Sequence, residues 1–156
     1  MKIRRPLFLA GIAVAAVSLT GIAASAVAAE TPFKGTVSAD ETVVPSPPTA
    51  SLTRDGTGTA TYLGRYTEHI VMTINLPTLS STGTATFTAA NGDTLTATVI
   101  GQATRTGPTT LSIVEVYTIT GGTGRFADAS GNFTLNSNVD QTTGVSSGTF
   151  SGVLGH

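Results

Sequence analysis

Thr118-Ile119-Thr120-Gly121-Gly122-Thr123-Gly124-Arg125-Phe126-Ala127-Asp128-Ala129-Ser130-Gly131 is the one long stretch where a threonine-rich alternation gives way to dense glycine. Glycine reaches positive φ without a Cβ penalty, so Gly121, Gly122 and Gly124 let the backbone reverse between Ile119 and Phe126. Phe126 then returns the chain toward apolar cover. Strands before this turn climb to it, and strands after it close the sheet. Arg125 reads as structural, its stem covering one end of the fold while its fork bonds loop carbonyls.

Composition supports the same class. Of 156 residues, 30 are threonine and 18 are glycine, and only 11% are charged. Threonine is β-branched and suits a pleated, half-buried surface, which points to an all-β fold. Interleaved Val, Ile, Leu and Phe separate the chain from a disordered tract. With no cysteine, neither a disulfide nor a lipid-modified cysteine is available. Packing and a sheet with few free edges must then hold the domain, and barrel closure supplies both.

The first 29 residues read as a signal peptide. Lys2, Arg4 and Arg5 form a basic start, residues 7–22 are largely apolar, and Ala26-Val27-Ala28 or Val27-Ala28-Ala29 offers a small-residue cleavage site. The expectation is export to the periplasm, the cell envelope or the exterior, with no stable membrane insertion after cleavage. Arg4-Arg5 hints at twin-arginine export, but Pro6 follows and no fuller motif is present. Beyond residue 29, five basic residues stand against nine acidic ones, a net charge of −4. That balance speaks against nucleic acid as a partner.

Residues 30–156 are expected to form one domain with about eight strands joined by turns, a spacing that fits a closed barrel or a sandwich of two packed sheets. A short strand is expected at 33–38, then a long irregular loop at 39–55, because Pro45, Pro47 and Pro48 deny a ladder its donors. Strands follow at 58–63 and 65–76, with Gly64 as a bend or bulge between them. Next come 83–90, the hairpin signal Asn91-Gly92, and 93–102. Residues 111–120 climb to the glycine turn, 131–139 return and 145–154 close. Period-2 alternation puts Ala85, Phe87 and Ala89 on one face and Thr84, Thr86 and Thr88 on the other. Val71, Val114 and Val116 fall outside, as an interface or as the seat of the 39–55 loop.

Gly121-Gly122-Thr123-Gly124-Arg125-Phe126 with Ala129 and Gly131 resembles the turn that marks the allene oxide cyclase and dirigent barrel superfamily. Gly58, Thr61, Gly64, Arg65, Asn91-Gly92-Asp93 and the run from Glu115 to Gly121 are similar to its bacterial secreted branch, over about residues 33–154. The resemblance implies an eight-stranded antiparallel up-and-down β-barrel with an interior cavity, assembled as a homodimer or homotrimer. It implies no single activity, since that superfamily holds cyclases, non-enzymatic coupling guides and other proteins.

Within the strands, the inward phase Tyr66, Glu68, Ile70, Met72, Ile74 carries one carboxylate, and Leu111, Ile113, Glu115, Tyr117, Ile119 carries another. A carboxylate among apolar neighbours must be paired, solvated at a mouth or held protonated. Glu115 is the candidate catalytic or anchoring group; the structural alternative is that it simply pairs with Arg65 or Arg125, or accepts from the Tyr62 or Tyr117 hydroxyl, as buried carboxylates do. A one-residue slip at Gly64 would turn Glu68 outward and His69 inward. Tyr62, Tyr66, Glu68 and Tyr117 are the candidate ligand-binding residues, placed at a pocket mouth. His69 and His156 have no ligand cluster around them, so neither a metal nor another cofactor is expected. No nucleophile elbow or phosphate loop is present.

Three functions fit these residues. The first is a non-catalytic binder of a small apolar ligand, or an interaction module. The second is a cyclase or isomerase that folds a flexible substrate in the cavity around Glu115. The third is a self-associating envelope or matrix protein. The balance leans away from an enzyme.

Overall fold

In the computed structural model, which describes residues 29–155, the alternation becomes eight strands. They are β1 (Glu30–Ser46), β2 (Thr49–Ala60), β3 (Gly64–Asn75), β4 (Ser80–Ala89), β5 (Thr94–Arg105), β6 (Thr110–Gly122), β7 (Ser130–Asp140) and β8 (Val145–Gly155). Each pairs antiparallel with the next, and β1 also pairs with β8, from Glu30 opposite Gly155 to Asp40 opposite Val145, so the barrel is closed. Closure leaves few free edges, one of them residues 41–46 of β1, which pair with β2 and not with β8. The expected signal peptide, apart from Ala29, and His156 lie outside the described residues.

The expected loop at 39–55 is instead the end of β1 and the start of β2. Pro47 and Pro48 occupy the two-residue turn between Ser46 and Thr49, where no ladder donor is required, while Pro45 sits in the strand opposite Ala50. The hairpin overshoots its other neighbour: Asp40 is the last β1 residue paired with β8, and Val43 and Val44 beyond it are exposed. With that segment in the ladder, it cannot be a loop seated on the outer valines. Gly64 is also not a bulge. It opens β3 at φ +67, after a short turn at 61–63 in which Tyr62 stands at φ +67.

The glycine turn behaves as expected and closes one end. β6 runs through Gly122, a single 3-10 turn spans Gly124–Phe126, and β7 starts at Ser130. A Cβ at Gly122 would collide with the Thr94 carbonyl, and one at Gly124, φ +57, with the Asp93 carboxylate. Neighbouring strands come this close only where glycine stands. Phe126 is thereby driven into the barrel end beside the core and is 2% exposed. Arg125 makes a different contact from the one expected: its guanidinium lies 4.9 Å over the Phe126 ring and its Nε lies 3.8 Å from Asp93 Oδ2.

Inside, the side chains change character along the barrel. Leu63, Leu95, Phe126 and Leu154 fill the end beneath the glycine turn. Next comes an aromatic layer of Phe33, Tyr66, Phe87, Tyr117, Phe133 and Phe150, in which Tyr117 stacks on Phe133 at 4.5 Å and 4° and the other pairs are tilted or edge-on. Each such pair adds about 0.5–1.5 kcal/mol beyond its burial. Farther along lie charged groups, then aliphatic ones, as β6 shows in the order Ile119, Tyr117, Glu115, Ile113, Leu111. Outside, Ile100 faces Val116 across the β5–β6 ladder, and both are exposed.

Candidate functional site

Arg54 is the centre of the charged layer. It follows Ala50 and Leu52 on the inward phase of β2 and is 1% exposed, so its guanidinium must find every partner inside the barrel. Its fork meets one carboxylate end-on: Nη1 donates to Glu115 Oε1 at 3.2 Å and Nη2 to Glu115 Oε2 at 2.8 Å. Nη2 also donates to Tyr117 Oη at 2.5 Å, and that hydroxyl donates to Glu115 Oε2 at 2.6 Å. A bidentate, hydroxyl-braced pair of this kind is among the stronger polar contacts a protein makes.

Two further carboxylates flank the pair. Glu68 Oε1 from β3 lies 3.2 Å from Arg54 Nε, as an ion pair without hydrogen-bond alignment. Glu41 Oε1 from β1 lies 3.6 Å from Nη1, beyond hydrogen-bond reach. Glycines opposite make the room. Gly56 faces Glu68 and Gly101 faces Glu115 across their ladders, and a Cβ on either would stand 3.1 Å from the glutamate Cγ.

Three carboxylates around one guanidinium leave an acidic surplus. Burial pushes the Glu68 carboxyl up to about 7, against the pull of Arg54 and with the help of Glu115 and Glu41. Burial also raises Glu41, opposed by Arg54 and by a hydrogen bond with the Ser146 side chain. Arg54 itself, although burial disfavours its charge, is held above its ordinary value by Tyr117, Glu115 and Glu68. Burial lifts the Tyr66 and Tyr117 hydroxyls, which therefore stay protonated donors. Burial and like charge therefore oppose full ionisation of the cluster, and near neutral pH Glu68 is the carboxyl that titrates.

Beyond the charged layer lies a cavity of about 330 Å³. Its wall is aliphatic, with Leu52, Met72, Ile74, Leu111, Ile113 and Val139, and Glu41 and Glu115 form its floor. Val43, on the overshooting β1–β2 hairpin, and Gln141, in the turn before β8, stand at the rim. The volume is at the low end of small-molecule pockets, about 300–1,000 Å³.

Of the residues expected at this site, Glu115 lines the cavity and Tyr117 braces it from the layer beneath. Glu68 points inward at 4% exposure, so no slip occurs at Gly64. His69 consequently faces outward, its Nδ1 2.7 Å from Asp55 Oδ1. Tyr66 is not at a mouth: it is buried in the aromatic layer and donates to the Thr36 carbonyl at 2.9 Å. Tyr62 lies in the turn at the filled end and is exposed, far along the barrel from the cavity. The partner of Glu115 is Arg54, not Arg65 or Arg125, both of which are exposed.

Arg54 and Glu41 were missed because both fell in the stretch read as a loop. The signal that could have found them is alternation on each side of the prolines: Val37, Ala39, Glu41 before and Ala50, Leu52, Arg54 after. Comparison of the chain with protein-family models, with curated proteins and with solved structures gives no match.

Proposed function

We propose that this protein is an exported binder of a small, mostly apolar ligand, held in the aliphatic cavity with its polar end on the ion cluster. The observation that carries this reading is the barrel's asymmetry. One end is filled by Phe126 and its neighbours, while the other is hollow and lined by Leu52, Met72 and Ile113 over buried acid. Evolution fills barrel interiors that only need to be stable, because voids lose contacts. A cyclase or isomerase would use the same cavity, with Glu115 as its charge or proton site. Both oxygens of Glu115 are already committed to Arg54 and Tyr117, which favours an anchoring role over proton transfer.

Native mass spectrometry of the protein purified from an exporting cell tests the reading. A small co-purifying adduct is expected, and Leu111→Trp, which fills the cavity from its wall, should lose it while the melting temperature holds. An adduct that survives Leu111→Trp would place the ligand elsewhere. The absence of any adduct, together with no uptake of added apolar compounds, would remove the proposal.

A further inference from the structure

We infer that the ligand's polar end is an N–H cation, a protonated amine or a chemically similar group, and that Glu41 receives it. This rests on the cavity being a ligand site, and it goes further by naming the head group. Both oxygens of Glu115 already accept from Arg54, and Oε2 also from Tyr117, so Glu115 has one lone pair left, on Oε1. Glu41 is different. Its side chain is 5% exposed, it lines the cavity, and its Oε1 has no hydrogen-bond partner among the described residues. A buried acceptor left without a donor is costly, so a site built this way favours a ligand that brings one.

Charge decides which donor. One guanidinium faces three carboxylates, so the floor is acidic before any ligand enters. A carboxylate or phosphate head would add to that surplus in a low-dielectric enclosure, where like charges repel strongly. A neutral hydroxyl would supply one hydrogen bond and leave the surplus in place. A cation supplies the donor and offsets the charge together, and charge-assisted bonds are the stronger class. The competing cation is Arg54, 3.6 Å from Glu41 Oε1 and shared with two other carboxylates, and no lysine or arginine is among the described residues that line the cavity. The aliphatic wall takes the remainder of the molecule, which defines an amphiphile with a short apolar body.

Backbone geometry holds Glu41 in this role. Its N–H donates to the Gly144 carbonyl at 2.7 Å, at the point where β1 leaves β8, so the carboxylate sits at the base of the projecting hairpin. Ligand entry therefore passes Val43 before reaching Glu41.

Titration of the full chain with three probes of equal length, n-octylammonium, 1-octanol and octanoate, followed by calorimetry near neutral pH, tests the inference. Octylammonium should bind at least about tenfold tighter than octanol, with octanoate weakest. Glu41→Gln, which keeps the shape, should lower octylammonium affinity at least about tenfold and remove the preference for the amine over octanol. A variant-free arm repeats the comparison on the native protein from about pH 8 to about pH 4, where protonation of Glu41 should erase the preference. The groups facing Glu41 in that range are Arg54 from β2, Glu68 from β3, Glu115 from β6 and the Ser146 hydroxyl from β8. Equal or tighter binding of octanol or octanoate overturns the head-group assignment, as does an amine preference untouched by Glu41→Gln. Failure of all three probes to bind overturns the cavity reading itself.

Discussion

Replacing Arg54 with leucine is expected to cost about 3–5 kcal/mol of unfolding free energy. Leucine fills much of the stem's volume but removes the only cation in the charged layer. Glu115, Glu68 and Glu41 are then left buried together with 2–5% of their side-chain surface exposed. Carboxylates cannot stay ionised in such a place, so each must take up a proton or draw water into the barrel. A domain of this size has about 5–15 kcal/mol to lose, so the variant should unfold at markedly lower denaturant. Urea titration measures the loss. The double variant Arg54→Leu with Glu115→Leu should recover part of it, since removing both charges is less damaging than removing one. A loss under about 1 kcal/mol for the single variant would mean the cluster is solvated and not structural.

Stability is expected to rise, not fall, as the pH drops from about 8 to about 5. The sign follows from Glu68. Its carboxyl titrates near 7 in the fold and near the ordinary 4.5 when unfolded. Between those values the folded chain binds more protons than the unfolded one, so raising the pH through this window removes stability and the loss levels off above 7. For a side chain 2% exposed, the span corresponds to about 3 kcal/mol as an upper measure. Glu41 acts in the same direction because its carboxyl is also raised. Asp140 acts oppositely and at lower pH: hydrogen bonds from Thr142 hold it below its ordinary value, so its contribution is lost on acidification. Denaturation midpoints across this range should slope downward with pH in the native protein and flatten in Glu68→Gln. A rising slope would contradict the burial of unneutralised acid.

The closed barrel was legible where alternation and turn chemistry agreed. Asn91-Gly92 marks the β4–β5 turn as expected, with Gly92 at φ +89 and Asn91 Oδ1 accepting from the Asp93 N–H. The glycine turn is likewise where its residues put it. Prolines misled because their count says nothing of their position. Pro47 and Pro48 at a turn tip cost the ladder nothing, whereas the same residues spread through a strand would break it. That one error hid half of the ion cluster, since Glu41 and Arg54 flank the tip. The inward phase of β3 and β6 was correct, so Glu68, Glu115 and Tyr117 were placed on the right face. Which end of the barrel each tyrosine occupies was not legible. Tyr62 and Tyr66 are near the start of β3, and only the strand direction sends that start to the filled end.

Glu115 shows where chemistry and packing separate. A carboxylate among apolar neighbours has the sequence signature of a reactive group, yet here it is bound bidentately and braced by a tyrosine. Its less conspicuous neighbour Glu41, most of whose strand is exposed, carries an oxygen without a hydrogen bond and lines the cavity. Reactivity and ligand capture depend on what remains unbonded after the fold has formed, and that is a property of three-dimensional accounting.

Methyl-labelled NMR of the full chain during titration with 1-octanol tests the central claim most directly, because the cavity wall and the filled end both carry reporter methyls. The methyls of Met72, Ile74, Leu111 and Ile113 should shift together and saturably, while those of Leu63, Leu95 and Leu154 at the other end stay in place. Shifts confined to the outer-face Ile100, Val114 and Val116, or none at any methyl, would contradict a ligand site inside the barrel.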